Sequence, residues 1–356
     1  MTEQAGLPTF PGPDPGVREC HVLVLPAGVE AEEIEALAVS RFSAAGWESV
    51  PGAGRAPARG RWSAPRVVPR VLRLSRHSRL TGPYVLHPDD AVRLGVPTSS
   101  VTAFVVQTPH ERGERPYPGG DRFGVNRAFP DGVPVRDEAR VIAFLVAAAR
   151  RVGGALRIAE TGVVLAPDVQ AEPDLTVYSE VWLEPTAALA VMQGVTPGAR
   201  LAMDPVPWAG PPPGTGEYPE VPPVATAMAE PLRRHLHAEA DAYDLAALAA
   251  PVELSGYGVQ ADLGVDGLLV LEVAGEEALP LVLQALPWAH GGAVVYRVRW
   301  EPPDFQELEL ERPSLAHRVA RARAQPFLSA LARQVHQAVG GEVADAGEFL
   351  VDPADL

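Results

Sequence analysis

The sequence predicts an α+β fold, with two lobes of mainly antiparallel or mixed sheet and helices packed on one face. Helix-period apolar patterns alternate with short β-branched runs throughout the 356 residues. One junction, a helix followed by Gly-Gly and a strand, recurs three times. A proline-crowded stretch, Pro205 to Val224, then separates two comparable lengths of patterned chain.

In chain order, His21 to Leu25 is an apolar run that reads as a strand. Glu30 to Ala45 follows as a helix with Ile34, Leu37, Ala38 and Phe42 inward. Val101 to Gln107 reads as a buried strand. The first recurring unit places Ile142, Leu145, Ala149 and Val152 on a helix face. That helix leads into Gly153-Gly154, the strand Ala155 to Ile158 and a second run, Val163 to Asp168. Glycine just past a helix supplies the left-handed residue that ends it. Leu175 to Leu183 alternates as a half-buried strand, and Pro185 opens a helix through Gln193, where a first turn tolerates proline. Asp266-Gly267, between Tyr257–Val265 and Leu268–Val273, is a two-residue hairpin signal. The second unit is a helix from Leu279 to Trp288, then Gly291-Gly292 and the strand Ala293 to Trp300. The third is a helix through Leu328, Leu331, Val335 and Val339, then Gly340-Gly341 and Glu342 onward. The resulting organisation is a flexible N-terminal tail (1–19), an α+β domain (20–204), a proline-rich linker (205–224) and a second α+β domain (225–356).

Composition narrows the class. Every one of the 30 basic residues is arginine, against 45 acidic ones, for a formal charge of −15. With a single asparagine and three isoleucines, the absence of lysine is the signature of a bacterial, GC-rich genome rather than of function. A hydrophobic content of 47% excludes wholesale disorder. The polar, proline-rich N-terminus lacks the pattern of a secretory signal, and no apolar run approaches membrane-spanning length. One cysteine, Cys20, excludes an intramolecular disulfide and a cysteine-based zinc site. Its neighbour His21 points to the opposite face of the strand, so the pair does not form a nucleophile and base. These features together read as cytoplasmic.

The charge is unevenly placed. From Ser49 to Pro88 there is no acidic residue but eight arginines, which leaves 22 basic against 45 acidic residues, −23, in the rest. Arginine forks suit phosphate and carboxylate. Arg70, Arg73, Arg76 and Arg79 would share a face if helical and be divided between faces if on a strand, and pairing with the acidic remainder would neutralise them either way. The overall acidity argues against nucleic acid. A second feature is the glycine-rich loop 110–127, where Asp121, Arg122 and Asn126 could orient a ligand. His110-Glu111-x-x-Glu114 resembles half of a metalloprotease helix, but it lacks the second histidine and contains Gly113 and Pro116, so no metal is expected. His235–Glu239 and His237–Asp241 are spaced as helix-surface pairs. No phosphate-cradling loop, dinucleotide fingerprint or nucleophile elbow is present.

The expectation is therefore a protein that acts by binding, without a cofactor. Its ligand would be a protein partner or an anionic small molecule held between Arg70–Arg79 and the Asp121–Asn126 loop. One alternative is a hydrolase whose dispersed site includes His110, Glu114, Asp121 and Arg122. Another is a self-assembling structural component.

Overall fold

In the computed structural model, the described residues are 6–12, 14–48, 68–202 and 255–356, with 231–232, 234–239 and 242 between them. Expectations that fall on the proline-rich stretch lie outside these residues. The fold is α+β, built on two antiparallel sheets of seven strands each.

The first sheet contains β1 (His21–Pro26), β2 (Gly46–Trp47), β3 (Arg70–Arg73), β4 (Arg79–Val85), β5 (Ser100–Gln107), β6 (Ala155–Arg157) and β7 (Val164–Leu165). Its helices are α1 (Pro15–Arg18), α2 (Ala31–Arg41), α3 (Pro88–Leu94), α4 (Val125–Ala128) and α5 (Arg136–Val152). The second sheet contains β8 (Leu175–Ser179), β9 (Arg200–Leu201), β10 (Gly256–Asp262), β11 (Leu268–Glu276), β12 (Ala293–Glu301), β13 (Glu342–Asp345) and β14 (Leu350–Val351). It carries α6 (Pro185–Gln193) and α7 (Leu315–Val339).

The two sheets share one topology. The first has strand order β2-β3-β4-β5-β1-β6-β7, and the second β9-β10-β11-β12-β8-β13-β14. In each, the opening strand is followed by a helix, a four-strand meander, a long helix and a closing hairpin, and it is inserted between the last meander strand and the hairpin. Short turns of helix occupy equivalent places too. Pro287–Ala289 and Phe305–Glu309 stand where α3 and α4 stand in the first half. The chain is thus two consecutive copies of one architecture.

This duplication accounts for two of the recurring junctions. Gly153 and Gly340 both have positive φ, +68° and +66°, and end α5 and α7. The next glycine lets the new strand lie against the opening strand of its sheet. A Cβ on Gly154 would sit 2.6 Å from the Val24 carbonyl oxygen, and one on Gly341 would sit 1.9 Å from that of Tyr178. The middle junction differs. Leu279 to Trp288 forms turns and a short 3-10 segment, not a helix, because Pro280 and Pro287 lie within it and withhold backbone donors.

Other expectations are corrected in detail. The strand expected to Leu183 ends at Ser179. There the Ser179 hydroxyl donates to the Val339 carbonyl and accepts from Val181 N–H, turning the chain off the sheet. The Asp266-Gly267 hairpin has a longer loop, Leu263 to Gly267, closed by the Asp262–Leu268 pair. The N-terminal segment is not a free tail where it is described. Phe10 and Val17 are buried, and Phe10 N–H donates to the Val85 carbonyl at 3.0 Å. The change of sheet falls between Leu165 and Leu175 rather than at 205–224. Strands β9 and β10, on either side of that stretch, pair with one another and both belong to the second sheet.

Both faces of each sheet are covered. In the first, Leu23 and Leu25 face α2 and α5, while Val22 and Val24 face Phe10, Val17 and α3. In the second, α6 and α7 cover one face, and the Leu279–Ala289 turns cover the other. The closing hairpin of the second half also reaches across the seam. Phe349, 1% exposed, belongs to the first half's core and packs edge-on against Phe144.

Candidate functional site

Where it is described, the arginine segment forms β3, the turn after it and the start of β4, one strand in from the edge strand β2, and Arg55, Arg59, Arg61 and Arg66 lie outside the described residues. The strand geometry sends Arg70 and Arg73 to opposite faces, with Leu72 buried between them. Arg70 donates to Glu32 at 2.6 Å and lies 3.8 Å over the Trp47 ring. That hydrogen bond holds the Glu32 carboxyl below its usual range. Arg73 donates to the Ala44 carbonyl at 3.4 Å and sits opposite Arg79 in the ladder. Arg76 and Arg79 are exposed.

The loop residues have separate duties. Asp121 accepts from the Asn126 and Arg127 N–H groups and so caps α4, while Asn126 donates to the Gly120 carbonyl. The loop is fastened to the second half by Asp121 N–H to the Glu309 carbonyl and by Arg127 to Glu311. Arg122 reaches Glu172 and the Ala171 carbonyl. Arg70–Arg79 and Asp121–Asn126 therefore engage different neighbours. His110 turns instead to Glu160, at 2.8 Å. Cys20 donates to the Gly16 carbonyl, and burial pushes its thiol upward. His235 and Glu239 form the expected exposed pair at 3.4 Å.

A polar cluster that sequence reasoning missed lies at one end of the first sheet. His21, Glu138 and His110 bring potential donor atoms within 4.8 Å of one another, as a metal site would. Lone-pair accounting decides otherwise. His21 Nδ1 accepts from the Ala159 N–H at 3.0 Å, so the neutral ring carries its proton on Nε2, which donates to Glu138 Oε1 at 3.3 Å. A metal-ligating histidine does the reverse and donates through its second nitrogen. Glu138 Oε2 accepts from Glu111 N–H and Arg112. Burial alone would raise the Glu138 carboxyl, but these hydrogen bonds and the Arg112 charge outweigh it and hold it low. Next to it, Asp137 accepts from Ser75, Ser78 and Arg140, which likewise outweigh burial. The cluster ties the start of β1, the β6–β7 turn and the first turn of α5 together. The legible signal for it was a histidine opening an otherwise apolar, wholly buried strand.

The seam between the halves carries the better candidate. The connector between β7 and β8 runs along it with a cavity on each side. The larger, about 330 Å³, is lined by Arg150 and Arg151 of α5, Gln170, Asp174, Gln325 of α7 and Asp345, among others. Arg150 is 4% exposed. Its Nη1 donates to the Glu172 carbonyl at 3.1 Å, and its Nε lies 3.3 Å from Glu172 Oε2 but off the hydrogen-bonding line. Among the described residues, Nε and Nη2 have no hydrogen-bond acceptor. The carboxylates around the cleft already have partners. Glu172 sits between Arg122 and Arg150, and Asp345 accepts from Gly347 and Phe349 N–H and pairs with Arg151 at 3.4 Å. Asp174 accepts from Trp300 N–H, and burial pushes its carboxyl upward, toward the neutral form. The smaller cavity, about 20 Å³, is lined by Arg122, Asp168, His317 and Arg321, among others.

Compared with known proteins, the chain matches no family model, no curated protein and no solved structure.

Proposed function

We propose that the protein binds an anionic small ligand, a carboxylate or phosphate compound, in the larger seam cleft. The observation that carries this reading is a cleft large enough for a small molecule whose wall holds two neighbouring arginines, Arg150 and Arg151. Arg151, partly exposed at the same wall, supplies a second fork, and the Gln170 and Gln325 amides suit the polar remainder of a ligand. The reading moves the anion site from Arg70–Arg79 to the seam, and Arg122 contributes indirectly by sharing Glu172 with Arg150. The arginine-only composition supports a bacterial origin, and the single cysteine supports a cytoplasmic setting, where such metabolites abound.

Thermal melts with inorganic phosphate, dicarboxylates and mononucleotides test it. A ligand at a hundred times its Kd adds about 2.7 kcal/mol. The expected result is a saturable rise in Tm with at least one class, lost in Arg151→Ala and in Gln325→Ala. If no class shifts the wild-type Tm, or the shift survives both substitutions, the reading falls.

A further inference from the structure

The larger cleft offers a ligand more than a place for an acid group. Resting on the reading of that cleft as an anion site, we infer that its ligand is an α-amino acid, with the carboxylate held by Arg151 and the ammonium by Asp174.

The charges of the lining point to a second, positive group on the ligand. Two arginines and three carboxylates line the cleft, so a plain acid would enter a wall with one negative charge in excess. The three carboxylates differ in how they are matched. Glu172 lies 3.3 Å from Arg150 and 3.4 Å from Arg122, and Asp345 lies 3.4 Å from Arg151. Asp174, among the described residues, has no cation within ion-pair distance, since Arg122 pairs with Glu172 and Arg299 with Glu272. Its Oδ1 accepts from Trp300 N–H at 3.0 Å, and its Oδ2 has no donor among the described residues. That oxygen is not sealed in the interior, unlike Nε and Nη2 of Arg150. Burial pushes the Asp174 carboxyl upward, and the Arg299 and Arg122 charges, too distant to pair, only partly oppose it. A partly buried carboxylate without a cation is what an ammonium satisfies.

The sheet sets the acceptor near a donor. Leu175 pairs with Asp345 in the β8–β13 ladder, so Asp174, one residue earlier, stands at the same end of the sheet as the Asp345–Arg151 pair. Arg151 meets Asp345 through Nη1 alone, which leaves the rest of its fork for a ligand carboxylate. Groups of opposite charge thus line one space, as an ammonium and a carboxylate borne on a single carbon require. At about 330 Å³ the cleft has room for a side chain as well, with the Gln170 and Gln325 amides on its wall.

Glutamate and glutarate carry the same two acid groups and differ by one amine. Titration calorimetry of the full chain with each, at about pH 7, reads what the amine adds while both acid groups are charged. Glutamate should bind at least about tenfold more tightly, the increment of one hydrogen bond to a charged group. Asp174→Asn, whose amide oxygen still accepts from Trp300 N–H, should bring the two affinities together. Equal affinities in the unsubstituted protein, or a preference that survives Asp174→Asn, would overturn the amino-acid assignment and leave the anion site standing. Silence from both compounds also overturns it, and the anion site then stands only if phosphate or a mononucleotide still raises Tm.

Discussion

Truncating Phe349 to alanine should weaken the first half more than the second, although the residue belongs to the second half's closing hairpin. The ring is 1% exposed within the first half's core, edge-on to Phe144 at 6.4 Å and 78°. Removing a buried phenyl ring costs about 3–5 kcal/mol, of which roughly 0.5–1.5 belongs to the aromatic pair. The polar contacts beside it are minor. Arg41–Glu348, 3.0 Å apart and partly exposed, is worth about 0–1 kcal/mol, so the apolar plug dominates the hairpin's grip. The neighbour Leu350, 38% exposed, is the control, and Leu350→Ala should stay within about 0.5 kcal/mol. Denaturant unfolding gives the size of the loss, and amide exchange followed by mass spectrometry locates it. Protection should fall in α2 and α5, whose side chains surround the ring. Loss of protection confined to β13 and β14, with α2 and α5 unchanged, would refute the claim that the seam shares a core.

Four further outcomes follow from the same geometry. Glu138→Ala leaves His21 Nε2–H and Arg112 without their carboxylate and should cost about 3–5 kcal/mol at neutral pH, read by denaturant melts. Asp137 and Glu138 are both held below their unfolded values, so their contribution is complete above the unfolded carboxyl range and disappears as pH falls through the folded one. Stability should therefore be level above about pH 5 and decline below about pH 4, and the gap between Glu138→Ala and wild type should narrow there. Gly341→Ala places a Cβ 1.9 Å from the Tyr178 oxygen at φ +86°, and should lose more than about 2 kcal/mol in thermal melts. Gly275→Ala, with nothing within 4 Å, should be neutral or slightly stabilising.

Local patterning revealed most of the elements. The opening strand His21–Pro26, the helix Ala31–Arg41 and the Gly-Gly junctions after α5 and α7 announce themselves by period and by glycine placement. The duplication stayed hidden because the two copies share topology without sharing residues. His21 opens the first central strand where Leu175 opens the second, and three similar junctions obscured the fact that two are equivalent. The seam site was the least legible part. Arg150 and Arg321 read as ordinary helix arginines, because what distinguishes them is the burial of nitrogens that have no acceptor among the described residues. Arg122 was visible only as part of a suggestive loop, while Arg70 proved to be occupied by Glu32 and Trp47.

Two copies of one architecture joined end to end also escape a constraint that binds a symmetric pair of identical chains. In such a pair every substitution occurs twice, so a residue that favours ligand binding at one position burdens its counterpart with the same change. Here the first copy can keep a histidine–glutamate tie at the end of its sheet while the second opens its central strand with Leu175 instead. Because the connector can follow only one path along that junction, the space on its two sides differs in volume and in lining. The tandem arrangement thus lets the two sides of the junction differ in chemistry within one repeated architecture.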